Sequence, residues 1–141
     1  MKIVAFAALL AVVVPGTLTA AKPAFAQNNA PAPIKAATVG TGYANSNVTG
    51  ASTTFKPSDH SLHGVLALSH IESADRYKAV WVAVDAAGLK NYVIGEFTPP
   101  KFPANTIHAK LEMPRDFPVG KYRVDWMRDN KLVRSAPFVV K

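Results

Sequence analysis

The stretch Ile107-His108-Ala109-Lys110-Leu111-Glu112-Met113 alternates strictly between apolar and polar side chains. Because successive side chains of a β-strand point to opposite faces of a sheet, this pattern predicts a strand with one buried and one solvated face. The stretch Lys121-Tyr122-Arg123-Val124-Asp125-Trp126-Met127 repeats the pattern, with its aromatic residues and Val124 on the predicted core face. Both stretches therefore indicate antiparallel strands that cover a core on one side.

Further runs of strand length surround these two stretches. Turn-forming segments rich in Pro, Gly, Asp and Asn separate them, and the runs cover residues 64–71, 78–84, 91–97 and 132–140. Several short strands with regular turn signals are typical of sandwiches and barrels, so the sequence predicts an all-β domain of about seven strands over residues 55–141. The short connection Arg128–Lys131 predicts a hairpin between the last two strands.

One run fits two patterns. Apolar side chains at Tyr77, Val80, Trp81 and Val84 follow helical spacing. The β-branched valines in the same run and the strands on both sides of it favour a strand instead. We expect a strand there, and a short helical turn at Ile71–Asp75 stays an open alternative.

A Pro-Gly turn, an aromatic strand, a polar turn and a closing Phe-x-Val strand follow one another near the C-terminus. They are formed by Phe117-Pro118-Val119-Gly120-Lys121-Tyr122-Arg123-Val124-Asp125-Trp126 and by Ala136-Pro137-Phe138-Val139-Val140. This order resembles the last hairpin of the immunoglobulin-like β-sandwich domains that bacteria export. The resemblance implies an immunoglobulin-like antiparallel sandwich, with Tyr122 in a tyrosine corner and Trp81 in the core.

The strand Gly120–Trp126 is also similar to the penultimate strand of the CopC-type periplasmic copper-binding proteins. That family binds copper through a His at the mature N-terminus and an Asp-x-His motif after this strand. The corresponding residues here are Gln27 and Arg128-Asp129-Asn130. None of the family's copper ligands is therefore carried over to this chain.

Residues 1–26 have the three parts of a secretory signal peptide. Lys2 supplies the positive charge, Ile3–Val14 is an unbroken apolar run, and Ala24-Phe25-Ala26 is a small-x-small cleavage site. The apolar run is shorter than the about 20 residues that cross a membrane. We therefore predict cleavage after Ala26 and an exported protein, periplasmic or extracellular, that does not span the membrane.

Composition narrows the function further. The chain has no Cys, which excludes disulfides, thiolate-bound zinc and a thiol nucleophile, and in an exported domain this favours a bacterial envelope. Residues 27–54 hold mainly Ala, Asn, Thr, Gly, Ser and Pro, with Lys35 as their one charge. Such a segment predicts a flexible leader, whose last residues are able to join the domain as an edge strand.

The histidines supply the candidate metal ligands. His60 and His63 lie three residues apart beside Asp59, and strand pairing can bring His108 near them. Imidazole and carboxylate groups bind Cu(II), Zn(II) or Ni(II), but a complete site needs three or four converging ligands. Two surface histidines at the start of a strand are the alternative interpretation, so no metal and no other cofactor is assigned.

Motifs of a serine hydrolase, a zinc protease or a phosphate-binding loop are absent from the sequence, which predicts a non-enzymatic protein. Lys121, Arg123 and Arg134 are expected to share one sheet face, where they form a candidate contact for phospholipid or another anionic surface. A solvated face that discourages edge aggregation is the alternative. Specific nucleic-acid recognition is not expected.

The sequence thus predicts an exported binding module of the bacterial envelope, whose partner is another envelope protein or a surface polymer. Contact is expected through an edge strand or through the proline-containing loop Thr98–Asn105. A periplasmic copper or zinc protein that uses His60 and His63 is the first alternative, and adhesion to anionic surfaces is the second.

Overall fold

The computed structural model describes residues 33–141. They form β1 (Ile34–Gly40), β2 (Gly42–Ala44), β3 (Asn47–Thr49), β4 (Thr54–Phe55), β5 (Ser61–Ser73), a 3₁₀ turn (Ala74–Arg76), β6 (Tyr77–Ala86), β7 (Leu89–Phe97), β8 (Pro103–Glu112), β9 (Gly120–Arg128) and β10 (Lys131–Val140). This part of the chain contains no helix that is long and apolar enough to cross a membrane. The predicted signal peptide, its cleavage site and leader residues 27–32 lie outside the described residues.

The strands form two sheets that pack as a sandwich, which confirms the predicted all-β architecture. One sheet has the strand order β1-β5-β8, the other has the order β4-β10-β9-β6-β7, and β2 and β3 form a separate hairpin. Neighbouring strands are antiparallel except for β4 and β10. The described residues contain ten strands: the seven strands β4–β10 lie within or at the start of the predicted domain, and β1–β3 are three further strands in the segment ahead of it.

That segment differs from the flexible leader expected over residues 27–54. β1 pairs antiparallel with β5, and Val39 is buried opposite Gly64. Gly40 lies against the β2–β3 hairpin so closely that a Cβ atom there would collide with Val48. Backbone pairing and small residues therefore order a segment that has few large apolar side chains.

Two tryptophans occupy the centre of the core between the sheets. Trp81 of β6 and Trp126 of β9 are 1% and 0% exposed. Gly64 of β5 lies above both of them: a Cβ atom there would be 3.3 Å from the Trp81 ring and 3.6 Å from the Trp126 ring. Both indole N–H groups are buried, and neither has a hydrogen-bond partner among residues 33–141, so apolar packing holds this centre together.

The structure confirms several local predictions. The ambiguous run at residues 77–84 is strand β6, and a helical turn does form just before it, at Ala74–Arg76. Residues 128 and 131 end β9 and begin β10, which form the predicted hairpin. The Tyr122 hydroxyl donates a hydrogen bond to the Pro118 carbonyl oxygen at 2.5 Å, which is the contact expected of a tyrosine corner.

Glu72, near the end of β5, ties several elements together at one corner of the sandwich. Its carboxylate accepts hydrogen bonds from Arg128 at 2.7 Å, from Arg76 at 3.1 Å and from the Tyr77 hydroxyl. The hydrogen bond from Arg128 is the main cause that lowers the pKa of Glu72 to about 2. Burial and the bond to Glu72 raise the pKa of Tyr77 to about 12. This corner fixes the crossover from one sheet to the other.

The space above the tryptophans gives the first testable prediction. Gly64→Val would push two extra methyl groups and a Cβ atom into the Trp81 and Trp126 rings, so we expect its free energy of unfolding to fall by about 1–3 kcal/mol. The matched control is Ala67→Val, because Ala67 lies on the same strand but points away from the core. Urea unfolding measures both, and equal stability of the two variants would contradict this packing.

The Glu72 corner gives a prediction for acid stability. The pKa of Glu72 is lower in the folded protein than its ordinary value of 4.5. Its carboxylate therefore stabilises the fold above pH 4.5, and this stabilisation is lost as the pH falls toward 2. We expect wild-type protein to lose up to about 3 kcal/mol more than Glu72→Gln across that window.

Urea unfolding at a series of pH values between 6 and 2.5 checks this expectation. Glu96→Gln is the control, because Glu96 forms an exposed ion pair with Lys78 at 3.6 Å, and such pairs contribute little. Its pH profile should follow the wild type. A Glu72→Gln profile that runs parallel to the wild-type profile would contradict the role given to this carboxylate.

Candidate functional site

Two histidines meet on the outer face of the three-stranded sheet. His63 of β5 and His108 of β8 alternate with core residues, so both side chains point away from the core. The strand register places His63 opposite Lys110 and His108 opposite Val65, which makes the two histidines diagonal neighbours. The Nδ1 atom of His63 lies 2.8 Å from the Nε2 atom of His108. We call these two residues the histidine pair.

The β2–β3 hairpin covers one side of the histidine pair. Tyr43 of β2 stacks on His108 with the ring centroids 3.8 Å apart and the ring planes 3° from parallel. The His63 and His108 rings are also nearly parallel, at 7°. Both histidines are half-buried as a result.

Burial sets the charge state of the histidine pair. Burial is the main cause that lowers the pKa of His63, followed by the positive charge of Lys110, while Glu112 acts in the opposite direction. Burial also lowers the pKa of His108, and His63 and Lys110 add to that effect. Both imidazoles are therefore neutral near pH 7, which is the form that binds metal ions.

The structure does not bring His60 to the histidine pair. The Nε2 atom of His60 lies 2.6 Å from the Oδ1 atom of Asp116, and both side chains are exposed. His70 lies near Glu72 instead, at 3.5 Å. Within residues 33–141, no group of three or more His, Asp or Glu side chains converges as a metal site. The expected combination of His60 with His63 is thus replaced by His63 with His108, the third histidine singled out from the sequence.

The three basic residues that were expected to share one sheet face lie on two different faces. Lys121 and Arg123 point outward from β9, and Arg123 is held by Asp125 at 2.9 Å. Arg134 of β10 is paired with Trp126, a core-facing position, because the register shifts between Leu132 and Arg134. A one-residue shift moves a side chain to the other face of a sheet. Arg134 accordingly lies on the opposite side of the five-stranded sheet from the other two.

An apolar groove lies where β5 meets the loop before β8. The pairing of β5 with β8 is interrupted between Ala67 and Glu72, and Ile71 in this bulge is 65% exposed. Phe102 in the loop is 41% exposed, and its carbonyl oxygen accepts a hydrogen bond from the Ala74 N–H at 2.7 Å. Six residues line the groove, and we call it the Ile71 groove: Ile71, Glu72, Ser73, Lys101, Phe102 and Pro103.

The loop side of the Ile71 groove lies within Thr98–Asn105, the segment singled out from the sequence. The exposure of Ile71 on the β5 side was not predicted, because an apolar residue at this position fits the pattern of the predicted strand. The signal that points to it is Ser69-His70, a polar step that breaks the alternation just before Ile71.

Strand β7 is an open edge among the described strands, where β6 is its one neighbour in the sheet. Two irregularities interrupt this edge. Asn91 has a left-handed backbone with a φ of 48°, and the register with β6 shifts at Ile94. Bulges of this kind twist an edge away from a partner strand and protect it from pairing. At β7, contact through a strand edge is therefore less favoured than contact through the Ile71 groove.

Comparisons with known proteins do not assign a role to these sites. No protein-family model matches the chain, and no curated protein matches it significantly. The histidine pair, the Ile71 groove and the charges around them are accordingly the features that indicate what the chain binds.

Proposed function

We propose that this chain is an exported, non-enzymatic binding module of the bacterial envelope. Its partner would be another envelope protein, which inserts an apolar side chain from an acidic, extended segment into the Ile71 groove. The observation that carries this proposal is the exposure of Ile71 and Phe102, which line the same shallow groove.

The shape of the Ile71 groove supports this role. Large apolar side chains exposed next to one another, with polar groups at the rim, are typical of protein-binding sites. The backbone on the loop side of the groove is anchored, because the Ala74 N–H donates a hydrogen bond to the Phe102 carbonyl oxygen and Pro103 follows directly. Anchoring of this kind lowers the entropic cost of binding relative to an unanchored loop.

Charge supports an acidic partner. The chain has 16 Lys and Arg against nine Asp and Glu. Six of the acidic residues lie within 4.0 Å of a Lys or Arg side chain, which offsets their charge. Lys101 at the rim of the Ile71 groove has no such acidic partner within the described part of the chain. A surplus of positive charge attracts and orients an acidic segment.

The proposal includes the immunoglobulin-like class of the sandwich. The tyrosine-corner contact between Tyr122 and Pro118 and the central position of Trp81 support it. Domains of this class carry their binding surfaces at strand ends and loops, which is where the Ile71 groove lies.

Selection of a displayed library of random 12-residue peptides against the purified protein tests the proposal. We expect the recovered peptides to carry an aromatic or branched apolar residue flanked by Asp or Glu. Their affinity should fall as salt is added, because the charges that steer them are exposed. The double variant Ile71→Ser, Phe102→Ser should bind them at least tenfold more weakly.

The matched control is Val119→Ser, Leu132→Ser, which removes two exposed apolar side chains outside the groove. This control should bind the peptides as well as the wild type does. Recovered peptides without acidic residues, or peptides whose binding survives in the groove variant, would refute the proposal. Thermal melts of each variant establish that the fold is intact.

A further inference from the structure

We propose that the histidine pair binds one Cu(I) ion between His63 Nδ1 and His108 Nε2. This site lies outside the Ile71 groove, and the inference does not depend on the proposed partner. It rests on the placement of two nitrogen atoms, on the absence of further ligands among the described residues, and on the charges nearby.

The two nitrogen atoms face each other across a short gap. They are 2.8 Å apart, and the ring centroids are 5.1 Å apart in rings only 7° from parallel. The rings thus meet edge to edge, with the two nitrogen atoms between the ring centres. An ion between them would have its two ligands on opposite sides, which is the linear arrangement that Cu(I) adopts with two donors.

Little movement is needed to admit the ion. Nitrogen ligands lie about 2 Å from a bound transition metal, so the gap must widen from 2.8 Å to roughly 4 Å. Both histidines lie on regular stretches of β5 and β8, so small side-chain rotations suffice while the strands stay paired. The proton that now bridges the pair moves to the far nitrogen of its own ring, so binding requires no net loss of protons.

The number of ligands selects the metal. A structural or catalytic zinc site takes three or four protein ligands. Within the described residues no such group converges, and the histidine pair supplies two donors. Imidazole nitrogen is a good ligand for copper. Divalent ions require further donors, whereas Cu(I) is stable with two, so a two-donor site favours copper in its monovalent form.

The surroundings favour a single positive charge. Lys110 is close enough to lower the pKa of both histidines, so it also repels a cation between them, and a divalent ion would be repelled twice as strongly. The Lys110 ammonium is partly balanced by Glu112 at 2.8 Å. The Tyr43 ring covers one face of His108 and keeps water away on that side.

An anaerobic titration of the purified protein with Cu(I), in competition with a coloured Cu(I) chelator, tests this site. We expect one ion per chain, and we expect His63→Gln and His108→Gln each to weaken binding at least tenfold. His60→Gln and His70→Gln are matched controls on histidines outside the pair, and they should bind as the wild type does. A thermal melt should show that Cu(I) raises the melting temperature of the wild type.

X-ray absorption of the wild-type complex provides a readout that does not depend on any variant. It should show two nitrogen neighbours and no sulfur. Absence of uptake, uptake that survives in both His63→Gln and His108→Gln, or tighter binding of Zn(II) or Cu(II) than of Cu(I) would overturn the proposal. Phe102→Ser should keep copper binding, and His108→Gln should keep peptide binding, so failure of one proposal is distinguishable from failure of the other.

Discussion

The packing of Trp81 and Trp126 beneath Gly64 is the constraint on which the rest of the structure depends. Two large rings fit between the sheets only where the facing strand has no side chain. The strand position that faces the two rings must therefore be the glycine, Gly64. Strand alternation then turns His63 outward. A slip of one residue would bury His63 and expose the leucines of β5, which makes this register the one that the core permits.

Departures from regular pairing shape the surface of the molecule. The bulge in β5 exposes Ile71 beside Phe102, and the register shift in β10 moves Arg134 away from Arg123. Regular alternation places apolar side chains in the core. Each interruption instead turns a side chain to the face opposite to the one that regular alternation would give it. The two candidate sites illustrate both effects, since the histidine pair lies on regular strands and the Ile71 groove lies at a bulge.

The two sites are suited to different ligands. The histidine pair offers two nitrogen donors in a half-buried, partly shielded position, which suits a small cation. The Ile71 groove offers exposed apolar area with Lys101 at its rim, which suits an extended acidic segment. The two proposed roles therefore use different residues.

Much of the fold was predictable from the sequence, and the reason is local. The alternation in β8 and β9 predicts both strands and identifies which of their faces lies in the core. The spacing of the turns predicts the sandwich architecture. The strands ahead of β5 were not predictable in this way, because backbone pairing and close contact at Gly40 order them rather than apolar side chains. The pairing of His63 with His108 depends on the register between β5 and β8, which strand alternation alone does not fix.

A map of amide chemical-shift changes in the isotopically labelled protein, on addition of an acidic peptide with one aromatic residue, tests the central proposal most directly. We expect the largest changes at residues 71–73 and 101–103, on the two sides of the Ile71 groove. Largest changes along β7, or around the histidine pair, would contradict it.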